Sequence, residues 1–367
     1  MKRSIILLLP FFLSGLFSFP ADSFLQKVKT IGDDRDDYTF FMIYSAVMSD
    51  KKDIFICDHK GNFVAKYDWK GNFIKRIGQA GQGNGDLLNP TYLCIYNQKL
   101  YIMDPKNYRI AWTDLDLTKL YYKRYGDLNK NPLNRFFKIT FLKNGTLLGN
   151  SFTPWDRNGR MVLFDFNAAK VIKCFFNRYP IEVSQKESDI ATGFNKENSK
   201  IDKDRLNKFL SLAFYALPMY GIDTQMERLL ISFQYPGNPV KFYLYSKDGR
   251  ELKTIEYPLE KKYSFPRHLL ENKPIKPSES HYSGIDSILF YKGYFLVFLV
   301  ELDFKKDQCV DKRCKFLVFD REGQLRDTIP TEKGLKPMFI SNDGYLLARD
   351  YDSDEDQLLI YKVNINY

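Results

Sequence analysis

Histidine is nearly absent from this chain: His59, His268 and His281 are the only three in 367 residues. A His-rich metal centre or a Ser-His-Asp relay therefore has almost no material to draw on, and neither an HExxH helix nor a nucleophile elbow is legible. Cysteine is also sparse. The five thiols, Cys57, Cys94, Cys174, Cys309 and Cys314, are too few for a disulfide scaffold. Cys309 and Cys314 bracket Val-Asp-Lys-Arg, a spacing that would close a local disulfide in an oxidising compartment if the loop folds back.

No basic cluster is present either. The formal charge is +10, but the 55 Lys and Arg are interleaved with 45 Asp and Glu, which excludes a nucleic-acid stripe and leaves dispersed, solvating lysines. Apart from the N-terminus, no apolar run is long. There, Lys2 and Arg3 precede IILLLPFFLSGLFSF, with small residues Ser18 and Ala21 at its end. The pattern predicts a secretory leader over residues 1–21, and the run is shorter than the ~20 residues a spanning helix needs. Export to the periplasm or beyond the cell is expected, with no stable membrane insertion after cleavage. Loss of Lys2 and Arg3 would lower the charge by two, to +8.

What the chain has in abundance is a repeated strand unit. It reads FVAKYDWKGNFIKRIG (63–78), RIAWTDLDLTKLYYKRYG (109–126), RMVLFDFNAAKVIKCFFNRYP (160–180), KFYLYSKDGRELKTIEYP (241–258) and KFLVFDREGQLRDTIP (315–330), with a truncated copy, LLIYKVNINY, at the end. One such unit cannot bury its apolar face alone, so the repeats predict one array rather than separate domains. In the clearest unit, strands are expected over 91–96, 99–104, 109–114 and 120–124, which makes one four-stranded blade. Lys60-Gly61, Lys70-Gly71, Asn144-Gly145, Asp248-Gly249, Glu322-Gly323 and Asp343-Gly344 supply hairpin turns elsewhere.

Six units follow, over 38–78, 90–126, 134–180, 205–258, 281–330 and 335–367, and the last lacks its fourth strand. FLQKVKTIG (24–32) resembles FIKRIG of the first unit. The expectation is an all-β, six-bladed propeller of four-stranded antiparallel blades, occupying 22–367, whose ring is closed by the N-terminal strand, so that no sheet edge stays open.

Residues 78–117, GQAGQGNGDLLNPTYLCIYNQKLYIMDPKNYRIAWTDLDL, resemble an NHL repeat: a Gly-rich entry, Pro before the first strand, an apolar strand ending in Asp, then Asn-x-Arg-Ile. Over the rest of the chain the resemblance, to NHL-like or TolB-like propellers, is one of strand pattern only. It implies that Asp104, Asn107 and Arg109 hold the blade's own turns. Lactonases and amidating lyases that resemble this family hold a channel metal with several His, Asp, Glu or Asn. Three scattered His weigh against a His-rich site; a calcium site drawn from different blades stays open, although no cofactor is expected.

Several motifs have plain readings. GQAGQGNG (78–85) is followed by a strand and lacks a Lys-Ser/Thr, so it reads as an entry loop rather than a phosphate cradle. Asp350, Asp352, Asp354 and Asp356 alternate as in a calcium loop, but Glu355 stands where Gly is needed, and a solvated hairpin is expected. Tyr67, Phe164, Tyr245, Phe319 and Tyr361 occupy one equivalent third-strand position, with Thr113 as the exception, and blade packing accounts for them.

Function is expected in the loops. Two stretches break the regular spacing: 181–204, which is polar and leads into Leu206, Phe209, Leu210 and Ala213 at helical spacing, and 259–280. Both fall between the fourth strand of one blade and the first of the next, on the face shared with the second-to-third-strand loops. Trp155 and Arg157 lie in such a loop; with Tyr235 and Arg109 they are the candidate binding residues. The sequence thus predicts an exported, monomeric, non-catalytic propeller that binds a protein or glycan partner, with a metal-dependent hydrolase or lyase as the alternative.

Overall fold

The computed structural model describes residues 24–32, 39–124, 136–151, 161–176, 178, 217–234, 238–260, 280–305, 308–331, 334–350 and 356–365, apart from positions 169, 224, 226 and 227. Six four-stranded antiparallel sheets follow one another along the chain. Blade 1 holds β2 (Ile43–Met48), β3 (Ile54–Asp58), β4 (Phe63–Tyr67) and β5 (Phe73–Ile77). Blade 2 holds β6 (Leu93–Tyr96), β7 (Lys99–Asp104), β8 (Arg109–Asp114) and β9 (Tyr121–Arg124), and blade 3 β10 (Phe136–Phe141), β11 (Thr146–Ser151), β12 (Met161–Asp165) and β13 (Lys170–Phe175). Blade 4 holds β14 (Pro218–Asp223), β15 (Arg228–Phe233), β16 (Val240–Ser246) and β17 (Glu251–Tyr257). Blade 5 is longer, with β18 (Ser280–Tyr291), β19 (Tyr294–Lys305), β20 (Gln308–Asp320) and β21 (Leu325–Thr331).

The sixth blade is assembled from both ends of the chain. β22 (Leu335–Ile340), β23 (Tyr345–Asp350) and β24 (Leu358–Val363) are completed by β1 (Leu25–Ile31), which pairs with β24 from Leu25↔Val363 to Ile31↔Leu358. The likeness of FLQKVKTIG to FIKRIG therefore marks a fourth strand displaced to the N-terminus. Closure leaves no blade without its neighbour. Six core clusters result, one in each inter-blade wedge; the one across the closure joins Ile31, Ile43, Ile56 and Tyr67 to Leu347, Leu358 and Ile360. Alternating side chains of each strand face opposite neighbours, which is why every blade shows the period-two pattern on both of its faces.

The recurring third-strand aromatics have a precise place. Tyr67, Phe164, Tyr245, Phe319 and Tyr361 are all buried, and each is the point at which the outermost strand of its sheet gains one extra residue: Ile74, Ile172, Leu252, Arg326 and Val28. Blade 2, where Thr113 replaces the aromatic, pairs without that bulge. Four of the five bulged residues, Val28, Ile74, Ile172 and Leu252, are exposed apolar side chains. A bulge twists the outer edge away from regular pairing, so these positions protect the rim from edge-to-edge association.

Lysines on the outer strands do more than solvate. Lys29 donates to the Trp69 carbonyl at 3.0 Å, Lys123 to those of Phe166 and Asn167 at 2.7 and 2.6 Å, Lys173 to Asp248 at 2.6 Å and Lys253 to Glu322 at 3.1 Å. Each reaches the hairpin between the third and fourth strands of the next blade. Those hairpins are themselves capped by a side chain at their first residue: Asp165 accepts from the Asn167 and Ala168 amides, and Asp320 from those of Glu322 and Gln324.

Among the described residues the only helical piece is the single 3-10 turn Pro105–Asn107. The helix expected around Leu206 to Ala213 lies outside the described residues, as do residues 1–23 with the expected leader.

Candidate functional site

The connections between blades 3 and 4 and between blades 4 and 5 are the long ones, running from Phe175 to Pro218 and from Tyr257 to Ser280. The stretches 181–204 and 259–280 fall within these connections; of them only residues 259–260 and 280 are among the described ones. Blade 5 adds to the same face. β18, β19 and β20 have 12, 12 and 13 residues against four to seven in every other blade. About six additional residues per strand extend it by roughly 20 Å. The extra length lies at the start of β18 and around the β19–β20 turn, the end of the sheet that carries the long connections. Ion pairs stiffen this projection: Lys315 with Glu301 at 3.1 Å and Arg313 with Asp303 at 3.4 Å.

The first strands of the blades, β2, β6, β10, β14, β18 and β22, sit at the inner edge of each sheet and line the central channel. Four of them carry an irregularity: between Ile43 and Ser45, Phe136 and Ile139, Ile285 and Ser287, and Pro337 and Phe339. Tyr44, Lys138, Asp286 and Met338 sit at these breaks, which re-aim side chains at a barrel or channel rim. Tyr44 meets His59 at 5.0 Å and Tyr92 at 5.9 Å between ring centroids, and His59 Nδ1 donates to the Pro90 carbonyl at 3.0 Å.

Lys138 is the most unusual of these groups. Its ammonium donates to the Tyr220 carbonyl at 2.9 Å and lies 4.6 Å from the centre of the Tyr220 ring, but among the described residues it meets no carboxylate. The site is assembled from two blades, with Lys138 and Thr140 on β10 and Tyr220 on β14; the Thr140 and Tyr220 hydroxyls are 3.3 Å apart, while Cys94 on β6 packs in the neighbouring wedge between blades 2 and 3. Desolvation pushes the Lys138 ammonium down to about 8, only partly opposed by Cys94, and burial pushes the Cys94 thiol up to about 11. Tyr220 is also raised by its burial, so all its chemistry at neutral pH is that of a neutral phenol. Among the described residues the Asp286 side chain has no hydrogen-bond or ion-pair partner.

The sequence-predicted residues fare differently. Trp155, Arg157 and Tyr235 lie outside the described residues. Arg109 is corrected from candidate binder to structural residue. It is buried, with Nε donating to Asp104 at 2.7 Å, Nη2 to the Asp86 carbonyl at 2.7 Å and Nη1 to those of Gln82 and Gly83 at 3.3 Å, while Tyr122 stacks 4.5 Å from the guanidinium. Four of its five N–H donors are thus committed to the blade and its entry loop. The Gly-rich loop they clamp folds around Asp86, which accepts from Gln79 at 2.9 Å and the Gly83 amide at 2.8 Å; a Cβ on Gly81 would meet the Asp86 carboxylate at 2.3 Å. The entry-loop reading of this segment holds.

Cys309 and Cys314 are free thiols. Both lie on β20, opposite Phe304 and Val300 of β19, so the extended strand holds them about 13 Å apart, well beyond the reach of a disulfide. No turn folds back between them. Asp356, read as part of a solvated hairpin, is instead half-buried at the ring closure, paired with Arg349 and accepting from the Ile43 amide at 3.2 Å. Among the described residues no three His, Cys, Asp or Glu side chains converge in a metal-holding group. Lys138 and Asp286 were missed because neither stands in a motif; only an inner strand interrupted by a charged residue could have drawn attention to them.

These elements define a six-bladed β-propeller closed by its N-terminal strand. No protein-family model matches the chain, and no curated protein matches it. Among solved structures, it is similar to a member of the DUF4221 family from Bacteroides vulgatus ATCC 8482, with a TM-score of 0.59 and 13% identity over 93% of this chain and 98% of that one. A candidate exported protein of Bacteroides fragilis NCTC 9343 aligns at a TM-score of 0.55 and 14% identity, over 95% of this chain and 97% of that one. At these identities the likeness is one of fold. Among the described residues no helix is long and apolar enough to cross a membrane.

Proposed function

We propose that this chain is an exported, non-catalytic, monomeric propeller that binds a protein or glycan partner through its insertion-bearing face. One observation carries the reading: the two long connections and the projecting end of blade 5 converge on the same face of the ring. A rigid scaffold with elongated elements on a single face is the usual arrangement of a binding module. Export is supported by the leader-like pattern of residues 1–21 and by the designation of the Bacteroides fragilis neighbour as exported. We read blade 2 as NHL-like, on the strength of its Asp104–Arg109 clamp.

The test is capture of partners from the envelope fraction of producing cells by mature protein, set against a variant in which 181–204 is shortened. The intact face should retain a partner or a glycan that the shortened protein loses. Equal capture by both would refute the role of this face, and mature protein purified with stoichiometric calcium and a chelator-sensitive hydrolase activity would refute the non-catalytic reading.

A further inference from the structure

We propose that the channel wall formed by Lys138, Thr140 and Tyr220 binds a carboxylate-bearing small molecule, with the Lys138 ammonium as its counter-charge. The inference deepens the binding reading above and rests on it.

The position of the ammonium follows from the backbone of β14. Successive residues of a strand direct their backbone groups to opposite sides. The Leu217 carbonyl accepts from the Gln234 amide, on the side of β15. The Pro218 and Tyr220 carbonyls accept instead from Asn150 at 2.7 Å and Lys138 at 2.9 Å, both reaching across from blade 3. The second set therefore faces away from β15, along the free inner edge of blade 4, and Lys138 places its charge on the channel side of that edge. The side chain as a whole is half-buried, while its ammonium end is desolvated.

Its bonding is incomplete. An ammonium carries three donors, and here one is used, on a neutral carbonyl. The titratable group against it is Tyr220 from β14, and Cys94 of β6 lies in the adjoining wedge; both are neutral near pH 7 because burial raises them. A charge taken out of water without a counter-ion is costly, and a methionine of similar length would fill the same space without that cost. The arrangement is consistent with a site whose missing partner arrives with a ligand. A carboxylate beside Lys138 would hold the lysine in its charged form.

The experiment is a calorimetric titration of the mature protein with galacturonate, acetate and galactose at pH 6.5 and 9.5, repeated with Lys138→Met and Lys138→Arg. The carboxylates should bind and galactose should not. Affinity should fall roughly thirtyfold between the two pH values, as an ammonium that titrates near 8 loses its proton. Lys138→Met should abolish binding, while Lys138→Arg retains it and its loss at pH 9.5 disappears. Acetate binding as well as galacturonate would support the carboxylate site and assign it to simple acids rather than acidic sugars. Galactose binding as tightly as galacturonate, unchanged binding by Lys138→Met, or no carboxylate binding at 10 mM (roughly 3 kcal/mol) would overturn the proposal. If partner capture by the loop face persists in that case, only this inference fails and the wider reading stands.

Discussion

Arg109 Nε donates to Asp104 Oδ2 at 2.7 Å with both side chains sealed from solvent, and the same guanidinium clamps the backbone of the 79–88 entry loop. The pair joins the end of β7 to the start of β8 while fixing the connection from blade 1. Asp104 has a second duty, accepting from the Leu88 amide at 2.9 Å.

Removing one member of this pair leaves a buried charge alone. Arg109→Met or Asp104→Asn should therefore destabilise the protein by about 3–5 kcal/mol, measured by urea unfolding. The 79–88 loop should also become the first site cut by limited proteolysis in Arg109→Met. A change under 1 kcal/mol would show that the clamp is dispensable.

Ring closure depends on the seven-residue β1, all of which but the bulged Val28 pairs with β24. Deleting 24–31 from the mature chain exposes the edge of β24 and opens the wedge that Ile31 fills, so it should abolish cooperative unfolding near the parent temperature and promote aggregation. Removal of residues 366–367 is the control, and should leave the melting transition within 2 °C (a fraction of a kcal/mol).

Of the inter-blade lysines, Lys173 and Lys253 are exposed and individually weak. Lys173→Met and Lys253→Met should each cost about 0.5 kcal/mol, and the double variant close to the sum, because the two latches share no partner. Faster amide exchange at the hairpins around Asp248 and Glu322 would report the loss directly. A double variant costing several kcal/mol would mean that blade docking rests on these contacts rather than on the apolar wedges.

Lys138 gives a pH-dependent prediction. Its ammonium titrates near 8 in the folded protein and close to 10.5 when unfolded. Below pH 8 both forms are charged and the folded form bears the full desolvation cost; between 8 and 10.5 the unfolded chain binds the extra proton, so stability rises with pH. Lys138→Met should thus be more stable than the parent by something on the order of 2 kcal/mol at pH 7, with the difference shrinking toward pH 10.5. A difference that grows with pH would contradict the assignment.

Much of the fold was legible because its determinants are local. The strand period, the Asx-Gly turns and the copy of the fourth strand at 24–32 all appear within windows of a few residues, and the buried third-strand aromatics packed as expected. The bulge opposite each aromatic was not legible, since it depends on how two strands align. The role of the dispersed lysines was missed for the same reason: Lys173 and Asp248 are remote in sequence and meet only through blade stacking. For Cys309 and Cys314, sequence proximity misled, because the intervening residues continue a strand instead of turning.

By itself, the sequence determined a closed array of six blades and the positions of its two long insertions, because period, turn chemistry and repeat count are properties of neighbouring residues. Tertiary structure decided which charges are spent and which remain available. Arg109 and Lys138 are both basic residues on short strands; one is enclosed by acceptors from its own blade, and the other reaches across to a neighbour at the channel edge without a counter-ion. Desolvation and pairing depend on what the other blades bring near, which no single stretch of chain encodes.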